Sequence, residues 1–430
     1  MPSKKILFTG FGSVAIHGGH KQDETNAHLT PVYASSTYVF DNAEQGMRRF
    51  SGKEKGYIYS RWGNPTMTEA EDKISALESF GVKDENGGDL KLKTILHGSG
   101  MAAISALLLA KLKTGDKILS HFSLYGGTQE LMEKVLPQLG IEAIIVDLRD
   151  LNKAEQALKN DSKIKLVYLE TPANPTIQCV DIEALTKLGR RHNLIVAVDN
   201  TFATPYLQQP FRYGVDYVFH STTKFLNGHG TAIGGALVGK DIAFMEERMT
   251  KVHRLLGGNS NPFDAFLLTQ GMKTLEVRMQ RHCDNAMQVA NFLQKHTSVS
   301  KVNYLGLDSH PDHQTSKKQM THPGAMLSFE LKGGLNAGKK FINNLQMCVR
   351  AVSLGTCDTL LSHPASMTHY GVPKQKREQY GITDGLIRMS VGIENVQDIL
   401  NDLERSLQKR SPLQIYPRES LSKPPLRGGL

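Results

Sequence analysis

Short apolar runs alternate with helix-length segments through the middle of the chain, from about residue 66 to 265. Several of these runs are apolar throughout, which is typical of strands buried on both faces of a mostly parallel sheet. The predicted strands are DKILSH, IEAIIVD, IKLVYLE, LIVAVDN, VDYVFHS and AIGGALVG. Because helix-sized gaps separate them, the pattern predicts an α/β domain with right-handed crossovers.

Two of the helix-length segments have clear signals of their own. PTMTEAEDKISALESFG begins at Pro65, and proline is favoured at the first helical position. Its apolar residues Ile74, Leu77 and Phe80 recur at helical spacing before a glycine ends the segment. GSGMAAISALLLAKLKTGD predicts a Gly/Ser turn that leads into a buried helix. Between the two helices, residues 81–94 are interpreted as a surface insertion before a strand.

The pattern divides the chain into four regions. Residues 1–65 lack clear periodicity and predict an extended N-terminal arm, which precedes the large α/β domain at 66–265. A smaller α+β domain is predicted at 266–410, and residues 411–430, rich in Pro, Ser and Gly, predict a tail. The elements predicted for the smaller domain are one long helix at DAFLLTQGMKTLEVRMQRHCDNAMQVANFLQKH, strands at AMLSFEL and LIRMSVG, and helices at GKKFINNLQMC and VQDILNDLERSLQKR.

Composition indicates an ordinary soluble globular protein. The chain has 430 residues, of which 40% are hydrophobic and 22% are charged. Its longest nearly apolar run, AAISALLLA, is shorter than the roughly 20 residues that span a bilayer, and the N-terminal apolar stretch is too short for a secretory signal. The net charge is +9, but the basic residues are spread along the chain. We therefore expect no membrane and no nucleic acid as partner, and an anionic small molecule instead.

Cysteine usage also limits the possible classes of protein. The cysteines are scattered and form no Cys-x-x-Cys pair; they are Cys179, Cys283, Cys348 and Cys357. This spacing argues against a disulfide framework and against a metal site. It predicts a protein of the reducing cytoplasm.

The strongest chemical signal is HSTTKFLNGHG, residues 220–230. Lys224 follows Ser221 and Thr223 here, and Asp199 ends the preceding strand-like run. A lysine amine can hold an aldehyde as a Schiff base, and hydroxyl groups with backbone amides can hold a phosphate. An aspartate can keep a pyridine nitrogen protonated. Together these are the groups that pyridoxal 5'-phosphate (PLP) requires, whereas a lone exposed lysine would explain only one of them.

Further motifs supply anion-binding and proton-transfer groups. GSGMAA opens a helix, so the backbone amides of Gly100 and Met101 can meet an anion. LYGGT places Tyr125 beside glycines, where a tyrosine can stack on the cofactor ring and exchange protons with the substrate. ETPANPT holds Asn174 in a stiff turn between prolines, within reach of the cofactor hydroxyl or a substrate carboxylate.

Arginines provide two candidate anion sites. YIYSRWGNPT offers Tyr59 and Arg61 in the predicted arm, and arginine is a natural clamp for phosphate. Arg388 lies in the apolar run LIRMSVG, where a guanidinium group needs an anionic partner. The α-carboxylate of an amino acid and a structural salt bridge both satisfy that need.

Taken in order, these motifs resemble the Cys/Met-metabolism family of PLP-dependent trans-sulfuration enzymes, from about residue 14 to 408. The matching segments are YSRWGNPT, GSGMAA, LYGGT, ETPANPT, VAVDNTFATPYLQ, HSTTKFLNGHG, AVSLG, HPASMTH and IRMSVGIE. The resemblance implies the fold-type I aminotransferase-like architecture. That fold has a large, mostly parallel sheet domain and a small α+β C-terminal domain.

The resemblance also implies roles for individual residues. Lys224 is the expected Schiff-base lysine and proton shuttle, Asp199 is the partner of the pyridine nitrogen, and Tyr125 stacks on the ring and acts as acid or base. The residues expected to bind the phosphate are Gly100, Met101, Ser221 and Thr223. Those expected to hold the ring hydroxyl and the substrate carboxylate are Asn174, Ser353 and Arg388. Tyr59 and Arg61 are expected to reach the phosphate of a neighbouring subunit, which implies a homotetramer built from dimers.

The substrate is indicated by two apolar positions. Family members that bind cystathionine often have a glutamate before Tyr-Ser-Arg and another before Ser-Leu-Gly, whereas this chain has Ile58 and Val352. Apolar side chains there suit a thioether such as methionine. SLG and HPASMTH also resemble methionine γ-lyases more than O-acetylhomoserine sulfhydrylases. The expected reaction is α,γ-elimination of L-methionine, or of a related thioether amino acid, to 2-oxobutyrate, ammonia and a thiol.

Two departures keep other activities open. Gly127 stands where many bacterial methionine γ-lyases have a cysteine, and His253 with Arg254 stands roughly where they have Lys-Asp. The alternatives are a γ-replacement enzyme of the O-acetylhomoserine sulfhydrylase or cystathionine γ-synthase type, or a cystathionine γ-lyase. A non-catalytic PLP-fold binding protein is a more distant alternative.

Overall fold

The computed structural model describes residues 8–21 and 25–408. Residues 1–7 and 22–24 of the predicted arm and the whole predicted tail at 411–430 lie outside the described residues. The predicted region boundaries near residues 65 and 265 stay predictions.

The helices and strands follow the alternation expected from the sequence. The strands are β1 (Lys93–His97), β2 (Lys117–His121), β3 (Glu142–Val146), β4 (Ile164–Glu170), β5 (Ile195–Asp199), β6 (Tyr217–His220), β7 (Gly235–Gly239), β8 (Val299–Asn303), β9 (Met326–Leu331), β10 (Val349–Arg350), β11 (Leu360–Ser362) and β12 (Leu386–Ser390). The α-helices are α1 (Phe11–His17), α2 (Ala43–Phe50), α3 (Pro65–Ser79), α4 (Gly100–Lys111), α5 (Gly126–Glu130), α6 (Leu151–Asn160), α7 (Ile182–Arg191), α8 (Thr204–Leu207), α9 (Ile242–Phe244), α10 (Thr250–Leu256), α11 (Pro262–Lys273), α12 (Leu275–Lys295), α13 (His313–Gln319), α14 (Gly334–Asn344), α15 (Lys374–Gln379) and α16 (Val396–Leu407). Turns of π-helix occupy Leu131–Val135 and Met245–Met249, and turns of 3-10 helix occupy Leu136–Leu139, Pro210–Tyr213 and Pro364–Ser366.

The first sheet has seven strands in the order β1-β7-β6-β5-β4-β2-β3. Strand β7 runs antiparallel to β1 and β6, while the pairs from β6 across to β3 are parallel. In the register of β4 with β5, Glu170 lies opposite Asp199. The predicted mostly parallel sheet is therefore confirmed, and the carboxyl ends of its parallel strands meet at one edge.

Apolar side chains cover both faces of this sheet. Along β4, Val167 and Leu169 belong to one buried cluster, whereas Leu166 and Tyr168 belong to the cluster on the opposite face. Successive residues of a strand point to opposite faces, so a strand covered on both sides must be apolar throughout. This is why the strands of this sheet could be predicted from apolar runs in the sequence.

The second sheet has five strands in the order β10-β11-β12-β9-β8 and its own apolar cluster. All its pairs are antiparallel except β10 with β11. This confirms the predicted small α+β unit, although β8, β10 and β11 were not predicted. Strands β10 and β11 have two and three residues, and β8 carries polar residues at three of its five positions, so none forms an apolar run.

The single long helix predicted over 264–296 is wrong, because α11 ends at Lys273 and α12 begins at Leu275. A continuous helix would use the carbonyl oxygen of Gly271 for the amide of Leu275. Here that oxygen accepts hydrogen bonds from the Thr274 hydroxyl at 3.1 Å and from the Arg278 guanidinium at 2.7 Å. Side chains thus replace the helical bond at the break.

Within residues 8–21 and 25–408, no helix combines the length and apolar character that crossing a bilayer requires.

A buried lysine fastens α1 to α3. Lys73 is fully buried, and its Nζ donates to the carbonyl oxygens of Ala15, Ile16 and Gly18 at 3.0, 3.0 and 2.8 Å. A cation at a helix C-terminus is favoured by the helix dipole. Burial lowers the pKa of Lys73 to about 8, so the group is still mostly charged at neutral pH.

We expect Lys73→Met to lower the free energy of unfolding by about 3 kcal/mol, because three buried carbonyl groups lose their donor. Denaturant unfolding followed by circular dichroism measures this change. The exposed Lys163→Met is the control and should change stability by less than about 0.5 kcal/mol. Equal stability of the two variants would contradict the anchoring role.

Candidate active site

Several of the predicted functional residues lie at the carboxyl edge of the first sheet. Asp199 is the last residue of β5, and Ser221 follows directly after β6. The hydroxyl of Thr201 joins the two segments, because it accepts a hydrogen bond from the Ser221 amide at 2.8 Å. Ser221 thereby lies beside the strand that carries Asp199.

Lys224 lies in a short turn after β6 and points toward the second sheet. Its Nζ is 3.1 Å from the hydroxyl oxygen of Ser353, to which it donates. Burial, together with the positive charge of Arg388, lowers the pKa of Lys224 to about 8. At neutral pH about a tenth of the amine is therefore unprotonated, far more than for a solvated lysine.

Asp199 and Glu170 form a pair of neighbouring carboxyl groups. Burial raises the pKa of Asp199, although hydrogen bonds from Thr201 oppose that shift. Burial and the adjacent Asp199 raise the pKa of Glu170 well above its usual range. Glu170 is the more deeply buried of the two, so its pKa is raised more strongly. Asp199 remains partly exposed at the sheet edge.

Glu170 also fixes Tyr125, which is a role that the sequence analysis missed. Its carboxyl oxygen accepts a hydrogen bond from the Tyr125 amide at 2.8 Å, while the Tyr125 side chain stays 51% exposed. The ring packs over Gly127, since a Cβ atom there would lie 2.7 Å from the ring and 3.3 Å from the sulfur of Met101. A carboxylate at the end of an apolar strand was the signal that could have identified Glu170.

The N-terminus of α4 forms the anion-binding part of the site. Ser99 caps this helix by accepting from the Ala102 amide at 3.1 Å, and the preceding amides, those of Gly100 and Met101, have no acceptor within the helix. A Cβ atom on Gly100 would lie 3.1 Å from that of Ser221, so the helix start and the Ser221 segment are in contact. The Thr223 hydroxyl bonds to both the amide and the carbonyl of Gly234, at 3.0 and 3.2 Å.

Arg388 projects from the second sheet and is almost fully buried. It donates to the carbonyl oxygens of Val352 and Ser353 and to the Asn174 side chain at 3.4 Å. Its Nε is buried without a partner, and no carboxylate in the part of the chain that the structure describes pairs with it. Burial lowers its pKa to about 10, which leaves it charged at neutral pH, and the Tyr125 hydroxyl is near enough to oppose that shift.

Tyr59 and Arg61 are not brought to this group of residues. The Arg61 guanidinium stacks on the Tyr59 ring at 5.5 Å and donates to the carbonyl oxygen of Arg254 in α10. The Tyr59 side chain is 41% exposed. In one chain, among the residues that the structure describes, neither makes a hydrogen bond to the residues around Lys224.

The residues that do converge fit PLP. A partly neutral lysine amine suits an aldehyde, and a carboxylate at a sheet edge suits a pyridinium nitrogen. Free amides at the start of a helix suit a phosphate. The unpaired Nε of Arg388 is a buried donor that lacks its acceptor, as a site for a substrate carboxylate would have.

The family model for Cys/Met metabolism PLP-dependent enzymes matches residues 12–408. The chain belongs to this family. Its cofactor is PLP, as the resemblance implied, and its fold is the fold-type I architecture.

Relatives within the Cys/Met metabolism family include L-methionine γ-lyases and a cystathionine β-lyase. L-methionine γ-lyase from Fusobacterium nucleatum subsp. polymorphum is 48% identical over 410 residues, which cover 95% of this chain and 100% of the relative. The enzyme of the same name from Porphyromonas gingivalis is 46% identical over 95% of this chain and 99% of its own length. Cystathionine β-lyase from Coxiella burnetii is 41% identical over 91% of this chain and 96% of its own length.

A solved structure from the same family has the same fold. Cystathionine γ-lyase from Lactobacillus plantarum, crystallised with L-serine, superposes with a TM-score of 0.84 at 39% identity, covering 92% of this chain and 98% of that chain. The predicted architecture is thereby confirmed.

We expect the Lys224 amine of the cofactor-free protein to react at unusually low pH. Only the neutral amine is nucleophilic, so its labelling rate should rise as pH increases through a midpoint of about 8. Competitive labelling with acetic anhydride, quantified by mass spectrometry, measures this rate, with the exposed Lys163 as internal reference. A midpoint at the ordinary lysine value of 10.5 would show that the site does not desolvate this amine.

Proposed function

We propose that this enzyme catalyses α,γ-elimination of L-methionine, or of a related thioether amino acid. One water is consumed, and the products are 2-oxobutyrate, ammonia and methanethiol. The names of the L-methionine γ-lyases reported above, which are 48% and 46% identical to this chain, support the reaction class. The geometry supports an amino-acid substrate in particular.

The observation that carries the proposal is the link between Lys224 and Arg388 through Ser353. The Ser353 hydroxyl accepts from the Lys224 amine at 3.1 Å, and the Ser353 carbonyl accepts from the Arg388 guanidinium at 3.0 Å. A basic amine and a carboxylate receptor are thus separated by a single residue. An α-amino acid carries its Cα–H bond on the carbon next to its carboxylate, so one substrate molecule presents both groups that this pair would contact.

The cofactor would be held by groups from both strands and helix ends. Lys224 would carry it covalently, Asp199 would face the pyridine nitrogen, and Tyr125 would stack on the ring. The groups proposed for the phosphate are the amides of Gly100 and Met101 and the hydroxyls of Ser221 and Thr223. Bound PLP supplies an electron sink for the negative charge that develops at the substrate Cα.

Proton transfers would be made by two side chains. Once the substrate amine has displaced it from the cofactor, the free Lys224 amine, whose pKa is about 8 in the cofactor-free protein, would accept the Cα proton of the substrate near neutral pH. The Tyr125 hydroxyl can deliver a proton to the departing thiol sulfur, because its ring is half exposed and its backbone is fixed by Glu170. Arg388, with Asn174 and Ser353, would bind the substrate carboxylate and orient the Cα–H bond.

We also propose that the enzyme acts as a cytoplasmic homotetramer. Tyr59 and Arg61 stand apart from Lys224 in their own chain and would reach the phosphate of a neighbouring subunit. An exposed tyrosine stacked on an arginine is suited to that contact.

Substrate choice is tested by measuring 2-oxobutyrate and methanethiol release from L-methionine by the PLP-loaded protein. Cystathionine, and O-acetyl-L-homoserine with sulfide, are assayed in parallel. We expect the highest kcat/KM for methionine and no turnover by Lys224→Ala. If homocysteine forms from the ester and sulfide while little 2-oxobutyrate is released from methionine, the protein is instead a γ-replacement enzyme.

Val352 offers a test of specificity, because its side chain is 58% exposed while its carbonyl oxygen holds Arg388. We expect Val352→Glu to raise the cystathionine-to-methionine ratio of kcat/KM by about tenfold, the value of one charge-assisted hydrogen bond to the distal ammonium group. Val349→Glu, an exposed valine of β10, is the matched control. If both variants shift the ratio equally, Val352 does not contact the distal part of the substrate.

A further inference from the structure

A buried arginine lies directly beneath the turn that carries Lys224. Arg278 belongs to the first helical turn of α12 and is 3% exposed. Its Nη1 donates to the carbonyl oxygen of Phe225 at 2.8 Å, and its Nη2 donates to that of Leu226 at 3.4 Å. The remaining bonds are from Nη2 to the Gly271 carbonyl at 2.7 Å and from Nε to the Thr274 hydroxyl at 3.1 Å.

The partners of Arg278 are neutral oxygen atoms. No carboxylate in residues 8–21 or 25–408 forms an ion pair with it, and burial lowers its pKa to about 10, so it stays charged at neutral pH. Burying a cation without an opposite charge is costly unless its donors are satisfied. Two of its acceptors belong to the residues that follow Lys224. The hydrogen bonds of the buried guanidinium group therefore order that segment.

The segment needs such donors because it is a helical turn that does not continue. The Thr222 carbonyl accepts from the Asn227 amide at 3.1 Å, and the Lys224 carbonyl accepts from the Gly228 amide at 2.7 Å. Carbonyl groups at the end of a helical turn have no further amides to bond with. The Arg278 guanidinium supplies those missing donors.

Two glycines let the turn approach this closely. Gly228 has φ +72°, and a Cβ atom there would lie 2.0 Å from Nη1 of Arg278. A Cβ atom on Gly271 would lie 2.1 Å from the carbonyl oxygen of Asn227. The backbone of the turn therefore packs against the side chain of Arg278 and against the backbone of α11.

We infer that Arg278 is a positioning residue that fixes the backbone of Lys224, so that the amine is held beside Ser353. The inference rests on the role proposed above for Lys224. Arg278 acts through the carbonyls of Phe225 and Leu226, on the side of the turn bonded to α11 and α12, whereas the Lys224 amine bonds to Ser353.

The test compares Arg278→Lys, which keeps the charge but loses the planar fork of donors, with Lys73→Met. Lys73 is the matched control because it is also a buried cation that donates to backbone carbonyls, but those carbonyls belong to the end of α1. Each variant is assayed for kcat and KM with methionine as the PLP-loaded enzyme. Amide hydrogen exchange over residues 222–228 is measured in the cofactor-free protein.

For Arg278→Lys we expect kcat to fall by about 10²-fold with KM changed less than about threefold, because the amine is misplaced while the carboxylate site is intact. Exchange at the Asn227 and Gly228 amides should become faster. Lys73→Met should lower stability without either change. The inference would be overturned if Arg278→Lys had the same exchange rates and kcat as Lys73→Met. It would also be overturned if the loss of kcat were no larger than the fraction of the variant that is unfolded.

A milder variant covers the case in which Arg278→Lys does not fold. Thr274→Val removes the acceptor of Nε and the hydroxyl bond to the Gly271 carbonyl but keeps Arg278, and we expect faster exchange at Asn227 and Gly228 together with a several-fold lower kcat. Unchanged values of both would overturn the inference. Lys224→Ala distinguishes the two proposals: turnover by that variant would refute the role proposed for Lys224, whereas its inactivity beside a control-like Arg278→Lys would refute the positioning role of Arg278 alone.

Discussion

Cations buried without an opposite charge are the constraint on which this site depends. Lys224, Arg388 and Arg278 all find backbone carbonyls, hydroxyls or an amide oxygen as partners in the described chain. Desolvation lowers the pKa of Lys224 to about 8, which is what a base working near neutral pH needs. The Nε of Arg388 is likewise buried and has no partner, so it is a donor available for a carboxylate. An aspartate paired with either cation would raise the pKa of Lys224 or occupy the donors of Arg388.

The two sheets divide the chemistry between them. The carboxyl edge of the parallel sheet contributes Asp199 and the turn with Lys224, and the start of α4 contributes free amides. The second sheet contributes Arg388 from β12, and the loop after β10 contributes Ser353. The bond between Lys224 and Ser353 and the bond between Arg388 and Asn174 both join the two halves, so the cofactor side and the substrate side meet there.

Sequence patterns predicted the residues whose chemistry is rare in their local setting. A lysine after Ser-x-Thr and an arginine inside an apolar strand are conspicuous, and both donate hydrogen bonds to Ser353 in the structure. Glu170 was overlooked although it ends a predicted strand, because its partner Asp199 lies 29 positions away, on the neighbouring strand. The break between α11 and α12 was missed because Thr274 is not a strong helix breaker. Its effect comes from the hydroxyl and guanidinium bonds to Gly271.

Periodicity and motif order were sufficient for the α/β class, the mostly parallel sheet and the family, since each follows from residues close together in the chain. Contacts between residues that are far apart in the chain were decided only by the tertiary structure. Arg278 sits among ordinary polar residues of a helix, and only packing places its guanidinium under a turn about 50 residues earlier in the chain. Burial likewise sets the pKa of Lys224, because desolvation is a property of the surrounding atoms rather than of the lysine or its sequence neighbours.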